Sequence, residues 1–497
     1  MCARRSTLGS AFLTASISAI AVLAGARPAR AQQNLPLAQL LPDLILRDIT
    51  LNSPPLPAGV PGAPEGLTHT AHFSPIEAGE LNNPVVGIVQ GFTTQMATQF
   101  ATFPLGSSSG GMSYVFDESV GTFRRASMSF GPLFAERALT IGRHKLNAGF
   151  NYQRTSYNRF EGQGLDDGSI KFYLRHNDCC TVVLTPGVAP GFILTTVPNG
   201  TRINTPFEGD LIEASLSLKA TTNTAAFFAN YGVTNRWDVG IAVPVVNVNI
   251  EASVTARIIR LVTASNPTVH TFDLNNPNAT LTIPRSGHAT GLGDVVVRSK
   301  YHFLRSGAGG LAAAVDVRLP TGDADNLLGA GGTQAKFLLV ASNERGRIAP
   351  HVNLGYTVAS GTIAATVSGL AAAELPDEFN YSGGVEVIAH PRVTVNADVV
   401  GRTMRDTGRL QIESKEFQYA STNNTGPVCD SQGFRCASAF FDEFQLHSGN
   451  LTLLLGTGGV KYNIGGNLLL SGSVLFPLSN SGLRSRATVT IGLDYAF

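Results

Sequence analysis

The sequence predicts an all-β protein, a transmembrane antiparallel up-and-down β-barrel of about 14 strands, within a range of roughly 12 to 16. Three observations predict this fold. The last strand has one apolar and one polar face and ends in an aromatic residue. Similar two-sided strands recur along the chain, and the connections between them alternate between short and long. We expect an N-terminal plug or a periplasmic segment before the barrel.

The last strand carries the clearest signal. Its apolar face consists of Val489, Ile491, Leu493, Tyr495 and Phe497, and mostly polar or small residues stand between them. Alternate side chains of a strand point to opposite faces. A soluble sandwich strand shows the same alternation, but here the strand carries the terminal aromatic residue. It therefore resembles the membrane-insertion signal of bacterial outer-membrane barrels, whose apolar face meets lipid.

Composition excludes several classes of protein. The 497 residues are 43% hydrophobic and 14% charged, and the formal net charge is +1. Nucleic-acid binding normally needs a strongly basic face, so none is expected. A membrane-spanning helix needs about 18 or more apolar residues, and only the amino-terminal segment approaches that length.

The amino terminus has the layout of a secretory signal peptide, predicted to comprise residues 1–31. Arg4 and Arg5 precede an apolar stretch from Leu8 to Gly25, and the Ala29–Ala31 triplet has the A-x-A form of a cleavage site. The alternative is a retained amino-terminal anchor. Export favours an oxidising compartment for the cysteines that follow.

Residues 32–120 do not have the pattern of barrel strands. A Pro-rich linker over residues 53–66 contains too much proline for a strand. We expect either a plug or hatch folded into the lumen or a periplasmic extension.

The predicted barrel comprises residues 121–497. Leu311–Leu319 and Val393–Val399 are examples of its alternating strands. The short connections include Val233–Arg236, Asn343–Arg347, His390-Pro391 and Tyr462–Gly466, and the long ones include Asn177–Phe207, Arg260–Gly291 and Arg405–Phe444. Short turns on one rim and long loops on the other are typical of transmembrane barrels.

One strand changes its apolar phase at Pro244, from Trp237, Val239 and Ile241 to Val246 and Val248. Proline cannot donate to a strand ladder, so a kink or bulge in the wall is predicted there. Two interpretations follow, a lateral opening in the wall and a simple barrel bulge.

Charged residues on the polar faces are the candidate lumen-facing residues. They are Arg298, Lys300, His302, Asp316, Arg318, Asp398, Arg402, Arg486 and Asp494. Both signs are present, so a ring that selects one class of ion is not expected. The set either pairs across strands and braces the wall or recognises a solute.

Four cysteines lie in two predicted external loops. Cys429 and Cys436 are close enough in sequence to form a disulfide. Cys179 and Cys180 are adjacent, and either could instead reach Cys429 or Cys436 and join the two loops. Free thiols are the remaining alternative.

Motifs for catalysis are weak. Gly106–Gly110 has the G-x-S-x-G form, but a nucleophile elbow needs a strand before it and a helix after it, and a Ser/Gly turn fits better. No metal site, no cofactor and no enzymatic activity are predicted.

Several strings together resemble a known family. They are Tyr231–Thr234 leading into Trp237–Pro244, Gly291–Val295 followed by Lys300-Tyr301, and Arg318–Asp323. Their order and spacing resemble the outer-membrane transporter family of the phenol meta-degradation pathway, which is similar to FadL-like channels for hydrophobic compounds. The resemblance implies a monomeric barrel and no particular substrate.

These observations predict a channel in the cell outer membrane for passive uptake of small hydrophobic or aromatic compounds. Its expected partners are outer-membrane lipid, the barrel-assembly machinery during insertion, and small hydrophobic solutes. The alternative is a non-conducting structural or adhesive barrel that acts through its long external loops.

Overall fold

The computed structural model describes residues 35–53, 73–78, 81–102, 106, 111–117, 121–176, 209–265, 267–364, 367, 369–420, 426–428 and 435–497. The predicted signal peptide, nearly all of the Pro-rich linker, and Cys179, Cys180 and Cys429 lie outside these residues. Cys436 begins a strand, but its side chain is outside the description too. The disulfide alternatives therefore stay predictions.

Three helices precede the strands. They are α1 (Leu37–Leu46), α2 (Pro75–Ala78) and α3 (Pro84–Ala101). The Asn83 side chain accepts a hydrogen bond from the Val85 N–H and caps α3, whose first residue is a proline that needs no intrahelical partner. In the part of the chain that the structure describes, no helix is long and apolar enough to cross a membrane.

The strands follow in chain order. The first ten are β1 (Tyr114–Asp117), β2 (Thr122–Arg125), β3 (Leu146–Phe160), β4 (Gln163–Gly164), β5 (Ile170–Arg175), β6 (Leu211–Gly232), β7 (Trp237–Ile259), β8 (Leu281–Leu292), β9 (Val296–Ser306) and β10 (Gly309–Arg318). The others are β11 (Gly332–Ser342), β12 (Ile348–Gly361), β13 (Glu378–His390), β14 (Val393–Met404), β15 (Arg409–Ala420), β16 (Cys436–His447), β17 (Leu451–Gly465), β18 (Leu468–Pro477) and β19 (Leu483–Ala496).

Within the described ranges, twelve strands form a closed antiparallel ring in the order β3, β19, β18, β17, β14, β13, β12, β11, β10, β9, β7 and β6, and β6 pairs back with β3. The barrel prediction is confirmed, at the lower end of its range. The figure of about 14 counted strands from about residue 121 onward, whereas the first ring strand begins at Leu146. Before it, β1 and β2 pair only with each other.

The ring sorts its connections as the sequence predicts. Turns 233–236, 307–308, 343–347, 391–392 and 466–467 join ring strands directly. We call the end that carries them the short-turn rim and the opposite end the long-loop rim. The strands after β3 that are not part of the ring lie in connections of the long-loop rim. They are β4, β5, β8 and the β15–β16 hairpin.

The outer face of the ring carries a band of exposed apolar side chains. On β19, Val489, Ile491, Tyr495 and Phe497 are exposed, and Leu493 is half-buried. The intervening Thr488, Thr490 and Asp494 are buried inside. Apolar residues outside and polar residues inside are the arrangement of a transmembrane barrel. Tyr495 and Phe497 pack edge to face with ring centroids 4.6 Å apart.

The structure has no bulge between β6 and β7 at Pro244, and the predicted kink and the lateral opening of the wall stay predictions. β7 pairs with β6 in one unbroken register, with Pro244 opposite Ala226. The apparent change of phase has another cause. Val248 and Ile250 face inward, as Asp238 does, but they belong to an apolar core that includes the helices. On its other edge, β7 pairs with β9 before Pro244, up to Ala242, and with β8 after it, from Val245.

Candidate functional site

Inside the ring, a loop that precedes β3 crosses near the short-turn rim. We call residues 126–145 the inner loop. Lys461 Nζ donates to the carbonyls of Pro132 at 2.8 Å and Phe130 at 3.2 Å. From another wall strand, Lys300 Nζ donates to the carbonyl of Leu139 at 3.0 Å. Two buried lysines therefore bind the backbone of this loop from different sides.

Neutral side chains of the wall bind the inner loop as well. The Glu136 N–H donates to Asn353 Oδ1 at 2.7 Å, and Asn353 Nδ2 donates back to the Glu136 carbonyl at 2.9 Å. The Phe130 N–H donates to Thr394 Oγ1 at 3.1 Å. Backbone groups that leave the sheet ladder need such partners when they are buried.

A charge network joins the inner loop to the wall. Arg298 forms ion pairs with both Glu136 and Asp316. Asp316 also pairs with Lys336 at 3.3 Å, and Glu136 lies 3.7 Å from Lys300. Arg298, Lys300 and Asp316 are three of the predicted lumen residues, and the structure brings them together around a carboxylate that the sequence did not single out.

Toward the long-loop rim, the end of α3 meets the wall. Arg318 Nη1 donates to the Ala101 carbonyl at 2.8 Å, and Arg402 Nη1 donates to the Thr102 carbonyl at 2.9 Å. Gln99 Oε1 accepts from the Leu483 N–H at 3.0 Å. Cations favour helix C-termini because the last carbonyls are unpaired and carry partial negative charge. Two predicted lumen arginines therefore bind the last turn of α3.

A cavity of about 190 Å³ lies between these two inner elements. Gln99 and Thr102 line it from α3, and Phe134 and Glu136 line it from the inner loop. The wall contributes the apolar or aromatic side chains of Tyr157, Val296, Leu338, Val400, Leu453 and Leu455 and the charged side chains of Arg298, Asp316, Arg318, Lys336, Glu378, Arg402 and Arg484.

The remaining predicted lumen residues lie outside this lining. His302, Asp398 and Asp494 are buried, at 1%, 4% and 6% exposure. Asp398 Oδ1 lies 3.0 Å from His351 Nε2, and Glu386 lies 3.4 Å from the other ring nitrogen of that histidine. Of the three, Asp398 forms a cross-strand pair with His351.

Arg486 differs from the other eight predicted residues. It is exposed and does not line the cavity, whereas Arg484 is only 4% exposed and does. The pairing of β19 with β3 shifts register between Arg484 and Ser485 and again before Thr488. Simple alternation places residues 484 and 486 on one face, and the irregularity separates them.

Sequence reasoning missed several charged inward groups. Five of them follow the same alternation as the predicted set, so the pattern could have found them: Lys336, Glu378, Glu386, Lys461 and Arg484. Alternation could not identify Glu136, because it belongs to the irregular inner loop, which lies within the range predicted as barrel strands.

No protein-family model and no curated protein matches this chain. Among solved structures, it is similar to the COG4313 outer membrane channel from Pseudomonas putida F1, with 10% identity and a TM-score of 0.41 over 72% of this chain and 98% of that one.

Two further solved structures are similar at lower scores. A Pseudomonas aeruginosa FadL homologue matches at 10% identity and a TM-score of 0.29, over 78% of this chain and 94% of that one. The Ralstonia pickettii toluene transporter TbuX matches at 10% identity and a TM-score of 0.26, over 72% and 90%. At such identities, the barrel is established by the chain's own strand pairing.

Proposed function

We propose that the protein is an outer-membrane channel for passive uptake of small hydrophobic or aromatic compounds. The observation that carries the proposal is the cavity inside the closed ring. Phe134, Leu338 and Val400 give it apolar surface, and charged side chains lie at its sides. Ligand sites commonly combine apolar lining with a few polar groups that orient the ligand.

Two inner elements make this a gated channel in our proposal. Helix α3 and α1 before it form the plug on the side of the long-loop rim. The inner loop closes the side of the short-turn rim. The hydrogen bonds of Arg318, Arg402 and Lys461 to main-chain carbonyls support both closures. A solute would pass stepwise through the cavity, and water and ions would not cross freely.

The topology supports an orientation and a route of biogenesis. Short turns of transmembrane barrels face the periplasm. We propose that residues 1–31 are cleaved on export, that the barrel-assembly machinery inserts the chain through the β19 signal, and that the protein works as a monomer without a cofactor or catalysis.

Uptake by intact cells tests the proposal. Gram-negative cells that express the full-length protein are mixed with radiolabelled naphthalene, which is uncharged and aromatic. We expect faster initial uptake than in cells with an empty vector, with a rate proportional to the amount of folded protein. Equal uptake at every expression level would contradict the channel and favour the non-conducting, adhesive barrel.

A further inference from the structure

Three arginines surround the last turn of α3 where it meets the cavity. Arg318 and Arg402 bind the carbonyls of Ala101 and Thr102. Arg484 follows Leu483, whose N–H is bound to Gln99 in the same turn. All three arginines line the cavity.

The carboxylates of the cavity neutralise this cluster only in part. Glu136 and Asp316 form ion pairs with Arg298, Lys300 and Lys336. Glu378 lies 3.4 Å from Arg402. Among the described residues, neither Arg318 nor Arg484 has a carboxylate within 4.0 Å of its guanidinium.

Unused hydrogen-bond donors accompany the excess charge. Arg484 is 4% exposed, its Nη2 donates to Ser479, and its Nε has no partner in the described part of the chain. The amide nitrogen of Gln334, which also lines the cavity and is 5% exposed, is unpartnered in the same way. A buried cation and buried donors without acceptors are unfavourable unless something satisfies them.

Apolar groups lie beside these donors. Tyr157, Leu453 and Leu483 line the cavity together with Arg484. An arginine fork matches the geometry of a carboxylate, and aromatic and aliphatic side chains match an apolar body. A ligand that satisfies both parts has one acidic group and one small hydrophobic group.

From this we infer that the cavity binds small organic monoanions with an apolar body, of the aromatic carboxylate class, and that Arg484 is the determinant for the anionic group. The inference rests on the proposed function, because it names the solute class that the channel recognises. Arg318 and Arg402 supply positive potential while they bind α3, and Arg484 supplies a cavity-lining guanidinium that has no carboxylate partner among the described residues.

Equilibrium dialysis of the purified full-length protein at neutral pH tests this inference. The probes are radiolabelled benzoate and benzyl alcohol, which have the same ring and similar size but differ in charge. We expect the wild-type protein to bind benzoate about tenfold or more tighter than benzyl alcohol. Equal affinities would overturn the inference, and this comparison needs no variant.

Two variants on one strand locate the determinant. Arg484→Gln should lower benzoate affinity by about tenfold and leave benzyl alcohol affinity nearly unchanged. Arg486→Gln removes an exposed arginine two positions away and should keep the wild-type preference. Arg484→Lys should retain part of it. An Arg484→Gln protein that still prefers benzoate would overturn the assignment.

The naphthalene measurement separates this inference from the proposed function. Normal naphthalene uptake combined with no benzoate preference would reject the anion site and retain the channel. Absence of both would reject both.

Discussion

At the scale of single residues, buried polar groups hold the irregular parts of the chain in place. Asp210, just before β6, is one of them. It accepts hydrogen bonds from the N–H groups of Leu261 and Val262, each at 3.0 Å, and its Oδ2 lies 2.9 Å from His270 Nδ1. Such contacts replace the ladder hydrogen bonds that a loop lacks.

Asp210 makes this loop sensitive to acid. Burial disfavours its charged form, but hydrogen bonds from His270, Thr263 and Val262 outweigh that effect and hold its pKa below the usual 3.8. Because the pKa of Asp210 is lower in the folded protein than in the unfolded chain, its ionisation stabilises the folded loop at every pH above the unfolded-state pKa. This stabilisation is lost as the pH falls through the folded-state pKa. Hydrogen exchange of residues 261–263 should therefore stay slow down to about pH 4 and accelerate below it.

The matched variant is Asp210→Asn. It should lose roughly 1.5–3 kcal/mol of local protection at neutral pH and show little further loss in acid. If wild-type protection already fell well above the usual pKa range of an aspartate, the charge of Asp210 would not control the loop.

Lys461 binds the inner loop near the short-turn rim, as Asp210 binds a loop of the long-loop rim. Lys461→Met removes both donors to the inner loop and leaves the carbonyls of Phe130 and Pro132 without them. We expect faster exchange in residues 128–134 and higher ion conductance in planar bilayers. Tyr462→Phe, at an exposed position on the outer face of the same strand, is the control and should conduct like the wild type. Equal conductance of all three proteins would show that the inner loop does not close the barrel.

At the scale of elements, the contacts of α3 with surrounding strands fix the position of this helix. Phe92 is fully buried and packs edge to face on Phe160 at 4.6 Å and on Phe172 at 5.8 Å. Polar Thr93, Gln95 and Gln99 are buried as well, so no face of the helix is left wholly to solvent. This two-sided burial fits a helix enclosed by other elements.

Phe92→Ala should therefore loosen α3 without unfolding the ring. A cavity in place of a buried phenylalanine costs about 3–5 kcal/mol. We expect faster hydrogen exchange in residues 84–101 and unchanged exchange in β10 to β14. Gly87 is exposed and has free space around it, so Gly87→Ala should stabilise α3. We expect the free energy of opening measured by hydrogen exchange in α3 to rise by roughly 0.5–1 kcal/mol. Simultaneous loss of protection in helix and ring would show that they unfold as one unit.

The elements differ in how far the sequence predicts them. Alternation identifies the ring strands and most inward residues, because a period of two leaves little choice of face. It fails at residues 484–488, where a register shift moves Arg486 out, and at Pro244, where apolar inward residues meet helices. It also fails for residues 126–145, because an inner loop is defined by its long-range partners and not by any local period.

At the scale of the whole molecule, the ring and its contents form a membrane protein with a cavity at its centre. The outer band of apolar side chains faces lipid, and the inner polar residues bind α3 and the inner loop. The space that remains between these elements is the cavity, so in the channel that we propose, solute passage depends on it. A side chain that fills the cavity should block uptake, and one of equal size on the outer face should not.

Naphthalene uptake by cells carrying Leu338→Trp or Leu339→Trp tests this most directly. Leu338 lines the cavity, whereas Leu339 is 50% exposed on the outer face of the same strand. Both proteins should fold, which gel mobility before and after heating checks. We expect Leu339→Trp cells to take up naphthalene like wild-type cells and Leu338→Trp cells to fall near the rate of cells without the protein. Equal uptake by the two variants would contradict passage through the cavity.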